Sequence, residues 1–152
     1  MALAVMIIIA HPGTAQGPKE HQDRIYSAFV KEYTAQRFSP EAFQQALLRA
    51  GFPEHHIDAI MKHARIESGN FKSRLFVQQH NAFGMRLAKR RTTTAVGTKK
   101  GYAVYQAWYD SVYDYWLWYE RKPIKSNQSW ASYLKSRKYT NPADAKRESK
   151  RS

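Results

Sequence analysis

The stretch Ala64-Arg65-Ile66-Glu67-Ser68-Gly69-Asn70-Phe71 ends a helix and determines where one carboxylate lies in the fold. Four apolar residues recur at helical spacing up to and into it, Ile57, Ile60, Met61 and Ala64. Glycine tolerates the left-handed conformation of a helix C-terminal cap, so Ser68-Gly69 predicts the helix end. Glu67 is therefore expected in the last helical turn, with the aromatic Phe71 just after the break.

Two helices are predicted before this one. Residues 22–36 carry apolar side chains four positions apart on one face, at Ile25, Phe29 and Tyr33. Ser39-Pro40-Glu41 combines a capping hydroxyl with proline at the first helical position, which is typical of a helix start. The second helix is expected to end at Gly51, and its apolar residues are Phe43, Leu47 and Leu48.

After the central helix, helical periodicity is absent from residues 72–106. Residues 92–96 and 101–105 predict two short strands joined by a turn over residues 97–100. Ser111 resembles a capping-box start for a helix that runs to about Arg121. A short helix over residues 129–136 and a last one from Asn141-Pro142 complete the chain. The predicted fold is mainly α, of the α+β kind, with a small loop and β-hairpin lobe after the central helix.

The domain boundaries follow from composition. We expect an apolar N-terminal segment over residues 1–17, one catalytic domain over residues 18–146 and a basic tail over residues 147–152. The apolar run of residues 2–10 is shorter than the roughly 20 residues that span a bilayer, so an integral membrane protein is not expected. A signal peptide normally has a Lys or Arg before its apolar run, and none precedes this one. It is either an uncleaved signal-like segment or an anchor to virion or assembly proteins.

The net charge of +13 indicates a polyanionic partner. The basic residues form separate clusters, at Lys89-Arg90-Arg91, Lys99-Lys100 and Lys146-Arg147, without a nucleic-acid-binding motif. We therefore expect contact with anionic envelope polymers, or with packaged nucleic acid in a virion, and no specific nucleic-acid site. The chain has no cysteine, which excludes disulfides, a thiol nucleophile and thiolate metal ligands.

Glu67 has the chemistry of a proton donor. Cleavage of a glycosidic bond needs an acid at the leaving oxygen, usually a carboxylic acid. The C-terminal end of a helix dipole disfavours negative charge, and Ile66 and Phe71 could remove water from the carboxyl group. Arg65 would act in the opposite direction, so the sequence leaves the balance open.

Four elements occur in order along the chain, Glu67-Ser68-Gly69-Asn70-Phe71, Asn81-Ala82-Phe83-Gly84-Met85, Tyr102-Ala103-Val104-Tyr105 and Tyr139-Thr140-Asn141-Pro142. Their order resembles the glucosaminidase family of phage and bacterial peptidoglycan hydrolases, over about residues 40–146. The resemblance implies a lysozyme-like helical fold with a sugar-binding groove. It also implies that Glu67 is the general acid, that Tyr139 is the active-site tyrosine, and that the β-1,4 bond after N-acetylglucosamine in the glycan strand is cleaved. No cofactor is expected.

The second catalytic carboxylate is missing from its usual place, because no Asp or Glu occurs between Glu67 and Asp110. Asp110 and Asp114 are expected to cap the following helix. Either the acetamido group of the substrate or a water positioned by Tyr139 would then act as nucleophile.

The candidate substrate-binding residues are Ser68, Asn81, Phe83, Tyr102, Tyr105 and Trp108. Within the Tyr-rich and Trp-rich segment, Val112, Tyr115, Trp116 and Tyr119 recur at helical spacing and are assigned to the core instead. The histidines at positions 55, 56, 63 and 80 fit no zinc motif, so no metal site is expected.

Two other functions stay open. A lytic transglycosylase also works from one glutamate, and a lysozyme-like domain can serve as a non-catalytic component of a virion or secretion assembly. In each case the protein would be associated with a virion or exported to the bacterial envelope.

Overall fold

The computed structural model describes residues 18–139, so the expected N-terminal segment, the helix from Asn141-Pro142 and the basic tail lie outside the described residues. This range contains six α-helices and one two-stranded antiparallel sheet, in the order α1 (Pro18–Tyr33), α2 (Pro40–Ala50), α3 (Ile57–Glu67), α4 (Arg74–Gln79), β1 (Gly97–Lys99), β2 (Tyr102–Val104), α5 (Trp108–Glu120) and α6 (Trp130–Ser136). A single 3₁₀ turn, Glu54–His56, precedes α3. The predicted mainly helical, lysozyme-like fold with a small hairpin after the central helix is confirmed.

Helix α2 begins and ends where its sequence signals place it. The Ser39 hydroxyl oxygen accepts a hydrogen bond from the backbone N–H of Ala42 at 3.0 Å, and Pro40 occupies the first turn. Gly51 adopts φ +118° and its N–H reaches the carbonyls of Leu47 and Leu48. These are the capping interactions that satisfy the free backbone groups at helix ends.

The loop after α3 contains a helix that the periodicity did not predict. Helix α4 has six residues, too few to show an apolar repeat, and depends on local capping. The Ser73 hydroxyl accepts from the N–H of Phe76 at 3.2 Å, and His80 ends the helix in the left-handed conformation. The Tyr105 N–H then donates to the Gln79 carbonyl, which joins α4 to the end of the hairpin.

The hairpin is present, but its turn lies further along the chain than expected. Gly97 pairs with Val104 and Lys99 pairs with Tyr102, so residues 97–99 form a strand and the turn is at Lys100-Gly101. Both turn residues have positive φ, +52° and +80°, as a tight two-residue hairpin turn requires. The expected strand over residues 92–96 is therefore wrong, apart from the Val96 N–H that donates to the Val104 carbonyl.

Helix α5 starts at Trp108, three residues before the expected start at Ser111. Ala107 is the N-cap, and the Ser111 hydroxyl donates back to the Trp108 carbonyl inside the first turn. Asp110 does serve the helix start, since its carboxylate bonds to the Ala107 backbone and also accepts from the Tyr26 hydroxyl at 2.6 Å. Burial raises the pKa of Asp110, and these two hydrogen bonds act in the opposite direction.

The core is built around α5, which packs against α1 and α2. Its buried residues include the expected stripe members Val112, Tyr115 and Tyr119, while Trp116 is partly buried and covers Gly51. Aromatic side chains of this size each bury about 150–250 Å² and dominate core energetics. Helix α3 packs against α2 and α6, which directs its C-terminal end toward the loop that precedes the hairpin. No helix of the described residues is long and apolar enough to cross a membrane.

A buried ion pair attaches the loop after α4 to α5. Arg91 Nη1 donates to Asp114 Oδ1 at 2.6 Å, and the side chains are 11% and 0% exposed. The Tyr105 hydroxyl donates to the other carboxylate oxygen at 2.5 Å. Both oxygens of Asp114 are therefore engaged inside the fold, and the expectation that Asp114 caps the helix is wrong, since it lies in the middle of α5.

Asp114→Ala should lower the free energy of unfolding by about 3–5 kcal/mol, because it leaves the buried Arg91 charge and the Tyr105 hydroxyl without a partner. The matched control is Glu32→Ala, which breaks the exposed pair with Arg49, 2.7 Å long with side chains 42% and 56% exposed. That loss should be about 0–1 kcal/mol. Urea denaturation measures both, and equal losses would contradict a structural role for the buried pair.

Candidate active site

The chain turns sharply after α3 through three consecutive residues in the left-handed region. Gly69, Asn70 and Phe71 have φ of +56°, +58° and +61°. Left-handed non-glycine residues cost about 1–3 kcal/mol each, so neighbouring contacts must hold them. The buried Ser68 hydroxyl accepts from the Phe71 N–H at 2.8 Å, and Arg65 donates to the Asn70 side-chain oxygen at 2.9 Å. The glycine cap predicted from the sequence is confirmed.

The ring of Phe71 anchors this turn in the core. It packs against three other phenylalanines at centroid distances of 5.0–5.3 Å, Phe38, Phe43 and Phe76. The turn therefore cannot shift without disturbing buried aromatic contacts. Glu67, one residue before Ser68, is held at a defined position by this anchor.

The Glu67 side chain is 4% exposed and lies against His63, one helical turn earlier. Glu67 Oε1 is 3.5 Å from His63 Nε2, and His63 Nδ1 is 3.1 Å from the hydroxyl of the buried Tyr115. Burial raises the pKa of Tyr115 well above its usual value, so the hydroxyl keeps its proton and can donate to Nδ1. In the tautomer in which Nδ1 accepts from Tyr115, the ring N–H is on Nε2 and faces Glu67. His63 thus links the core to one oxygen of the carboxylate.

The other carboxylate oxygen lies against the backbone at Gly84. A Cβ atom on Gly84 would be 2.9 Å from Glu67 Oε2, and Gly84 has φ +64°, so glycine is required twice over. The buried Asn81 fixes this loop: its amide nitrogen donates to the Met85 and Ala103 carbonyls at 2.9 and 3.0 Å, and its oxygen accepts from the Met85 N–H at 3.0 Å.

Tyr139 is brought to the same place from beyond α6. Its hydroxyl donates to the Phe83 carbonyl. The centroid of its ring is 5.0 Å from the ring centroid of His63 and 5.1 Å from that of Trp118. Burial raises the pKa of Tyr139 well above its usual value, and the negative charges of Glu67 and Asp114 raise it further. The phenol therefore stays neutral, with its proton directed at Phe83 and its oxygen free to accept a hydrogen bond.

An open groove of about 320 Å³ runs along this side of the molecule. Its lining includes Gly84, Met85, Arg86, Arg91, Trp118 and Tyr139. Gly84 is the lining residue against which Glu67 Oε2 lies. A partly buried tryptophan and a tyrosine on one wall suit a sugar, whose apolar faces pack on aromatic side chains.

Most of the other candidate site residues lie in the interior. Five of the six are buried, Ser68, Asn81, Phe83, Tyr105 and Trp108. Their polar groups are used internally where they have them, as in the Tyr105 bond to Asp114. In this structure they support the walls of the site, and direct contact with a sugar is not expected of them. Tyr102 is partly buried on the hairpin, with the Arg86 guanidinium 5.2 Å from its ring centre.

Three residues of the site were not assigned to it from the sequence. His63 was considered only as a metal ligand, although its spacing of four from Glu67 already places the two on one helix face. Gly84 was only part of a motif, and Trp118 was one of many aromatic residues. Within residues 18–139, no three His, Asp or Glu side chains are grouped as a metal site would need.

The described lining of the groove contains no carboxylate, and Glu67 lies behind Gly84. Asp114 is fully buried with both oxygens bound, and Asp110 is 4% exposed and bonded to Tyr26. Neither of them lines the groove. The arrangement offers one acid, one neutral phenol and one aromatic wall.

A family model described as Glucosaminidase, mannosyl-glycoprotein endo-beta-N-acetylglucosaminidase, matches residues 24–149. No curated protein and no solved structure matches the chain. The matched range begins inside α1 and contains Glu67, Gly84 and Tyr139.

Gly84→Ala should lower the free energy of unfolding by about 1–2 kcal/mol, because the new Cβ is strained at positive φ. It should also displace the Glu67 carboxylate, which the Cβ would approach to 2.9 Å. Gly97→Ala is the matched control, since a Cβ there meets no atom within 4 Å and its φ is not positive. Urea denaturation checks the pair, and equal stability of the two variants would contradict the close packing at Gly84.

Proposed function

The chain belongs to the glucosaminidase family, and we propose that it hydrolyses the β-1,4 bond after N-acetylglucosamine in peptidoglycan glycan strands. Family membership supports a glycoside hydrolase of the peptidoglycan-hydrolase type. The bond cleaved and the residues that cleave it are our proposal. The observation that carries it is the position of Glu67, whose Oε1 faces His63 and whose Oε2 lies against Gly84, a lining residue of the groove.

In this proposal Glu67 is the general acid. His63 is a positioning residue, since its Nε2 lies 3.5 Å from Oε1, on the side of the carboxylate away from Gly84 and the groove that Gly84 lines. A proton on Oε2 passes to the glycosidic oxygen as the C1–O bond breaks. A rigid carboxyl group matters here because misplacement by about 1 Å can cost two orders of magnitude in rate.

The substrate supplies the nucleophile. Its acetamido carbonyl oxygen bonds to C1 while the protonated sugar oxygen leaves, giving a cyclic oxazolinium ion. The Tyr139 oxygen, whose proton is directed at Phe83, accepts from the acetamido N–H and aligns that carbonyl. Water then adds to C1 as the bond between C1 and the acetamido oxygen breaks, which restores the acetamido group, and the water gives its proton to the Glu67 carboxylate, which restores the acid. The products are two shorter strands, one ending in reducing N-acetylglucosamine with its original configuration.

The proposal also includes a location and partners. A net charge of +13 supports contact with anionic polymers of the bacterial envelope, which the protein would reach inside a virion or by export. Attachment to virion or assembly proteins through residues 2–10 belongs to the same proposal.

Glu67→Gln should lower turnover of purified peptidoglycan by about 10²–10⁴, because glutamine cannot donate the proton. Glu54→Gln, an exposed glutamate before α3, is the control and should keep wild-type turnover. Chromatography and mass spectrometry of the products should find reducing N-acetylglucosamine ends.

Three outcomes would contradict the proposal. A folded, fully active Glu67→Gln protein would exclude the assigned acid. Products ending in 1,6-anhydro sugars would indicate a lytic transglycosylase. A folded wild-type protein without activity on sacculi would indicate a non-catalytic component of an assembly.

A further inference from the structure

A second and larger cavity lies beside the groove, on the other side of the loop over residues 88–91. It encloses about 530 Å³ between the start of α1, this loop and the end of α5. Its polar lining includes Gln22, Lys89, Arg90, Arg91, Glu120 and Arg121. The volume falls within the range of about 300–1,000 Å³ that is typical of ligand sites. The proposed hydrolysis does not use this basic cleft.

Three cations of the basic cleft are free to bind a ligand. Lys89, Arg90 and Arg121 are exposed, and none of them forms an ion pair with a described residue. Arg91 differs, because its guanidinium is committed to Asp114. Guanidinium groups bind carboxylates and phosphates through paired N–H donors, so the cleft suits an anionic ligand.

The basic cleft and the groove share Arg91 as a common wall. Ala88 lines the groove and Lys89 lines the cleft, so one short loop separates the two spaces. A ligand in the cleft is therefore adjacent to a strand in the groove. The acidic groups of peptidoglycan are carried by its stem peptides, which branch from every second sugar of the strand.

We propose that the basic cleft binds a stem peptide of the strand that occupies the groove, through the peptide carboxylates. The inference rests on the proposed function, because the strand must lie in the groove. The cleft would make the enzyme prefer strands that carry peptides over bare strands of the same sugars.

The mixed charge of the cleft favours a peptide over a phosphodiester polymer. Glu120 lies among the cations, and its Oε1 accepts from the Gln22 amide at 2.8 Å. A carboxylate would repel a chain of phosphates, but it complements the amino group that a stem peptide carries together with its carboxylates. The cations and Glu120 thus match a ligand with both charges.

The test compares the triple variant Lys89→Gln/Arg90→Gln/Arg121→Gln with Lys99→Gln/Lys100→Gln/Lys125→Gln. The second variant removes the same charge from exposed lysines that line neither space. Arg91 is left intact because it also lines the groove. The substrates are soluble glycan strands with their stem peptides and the same strands after an amidase has removed them.

Wild type and control should show kcat/KM about tenfold higher on peptide-bearing strands, mainly through KM, since exposed charges act on binding and encounter. The cleft variant should lose this preference while its rate on bare strands changes less than threefold. An unchanged preference would overturn the proposal, and so would an equal loss in the control variant. The proposal would also be overturned if the preference were lost when teichoic phosphodiester polymer is removed from the strands and kept when the stem peptides are removed.

Binding separates this inference from the proposed function. Glu67→Gln protein should bind peptide-bearing strands more tightly than bare ones in sedimentation assays, and the added cleft substitutions should abolish the difference. If wild type cleaves neither kind of strand, the proposed hydrolysis fails, but the binding difference still tests whether the cleft binds a stem peptide. If hydrolysis occurs without a binding difference, only the cleft proposal fails.

Discussion

The geometry of the candidate active site depends on the packing of the Tyr115 ring. It is fully buried in α5 and stacks on Phe83 at 3.7 Å and on Trp118 at 5.1 Å. Its hydroxyl lies 3.1 Å from His63 Nδ1. The ring of Tyr139 is nearly perpendicular to the ring of Tyr115, and the two ring centroids are 6.0 Å apart. One core side chain thus contacts the loop before the hairpin, the α3 histidine, the groove tryptophan and Tyr139. The geometry of the groove follows from the packing of the core, because interiors this dense do not deform continuously.

The buried carboxylates of Asp114 and Glu67 differ in their partners. The Arg91–Asp114 pair uses its carboxylate to attach a loop to α5, and both oxygens are engaged there. Glu67 forms no ion pair with a described Lys or Arg, and His63 Nε2 lies 3.5 Å from its Oε1. A single carboxylate packed against the groove residue Gly84, with the neutral phenol of Tyr139 in the lining, fits hydrolysis in which the substrate provides the nucleophile. The missing second acid is then consistent with the proposed activity.

Sequence patterns predicted the parts of the fold that depend on local chemistry. The cap at Ser39, the break at Gly69 and the buried stripe through Tyr115 each follow from residue type and spacing. Features that depend on tertiary contacts did not follow. Helix α4 is too short for periodicity, and the hairpin turn was displaced because Lys100 accepts positive φ beside Gly101.

The candidate groove residues show the same division. Tyr105 and Trp108 were expected to face the substrate because they lie outside helical periodicity, yet burial of their rings is set by α1, α2 and Asp114. Trp118 lies on α5 next to the buried stripe. It lines the groove together with Tyr139, whose position the sequence pattern does not give. The need for glycine at position 84 likewise depends on a carboxylate 17 residues away.

We propose that Glu67 acts without a second catalytic carboxylate from the described residues. The most direct measurement is turnover of soluble glycan strands by Asp110→Asn and Asp114→Asn, beside Glu67→Gln, with circular dichroism to verify that each variant is folded. We expect both asparagine variants to stay within about tenfold of wild type, while Glu67→Gln falls by the much larger factor expected for loss of a general acid. A folded asparagine variant as inactive as Glu67→Gln would contradict it.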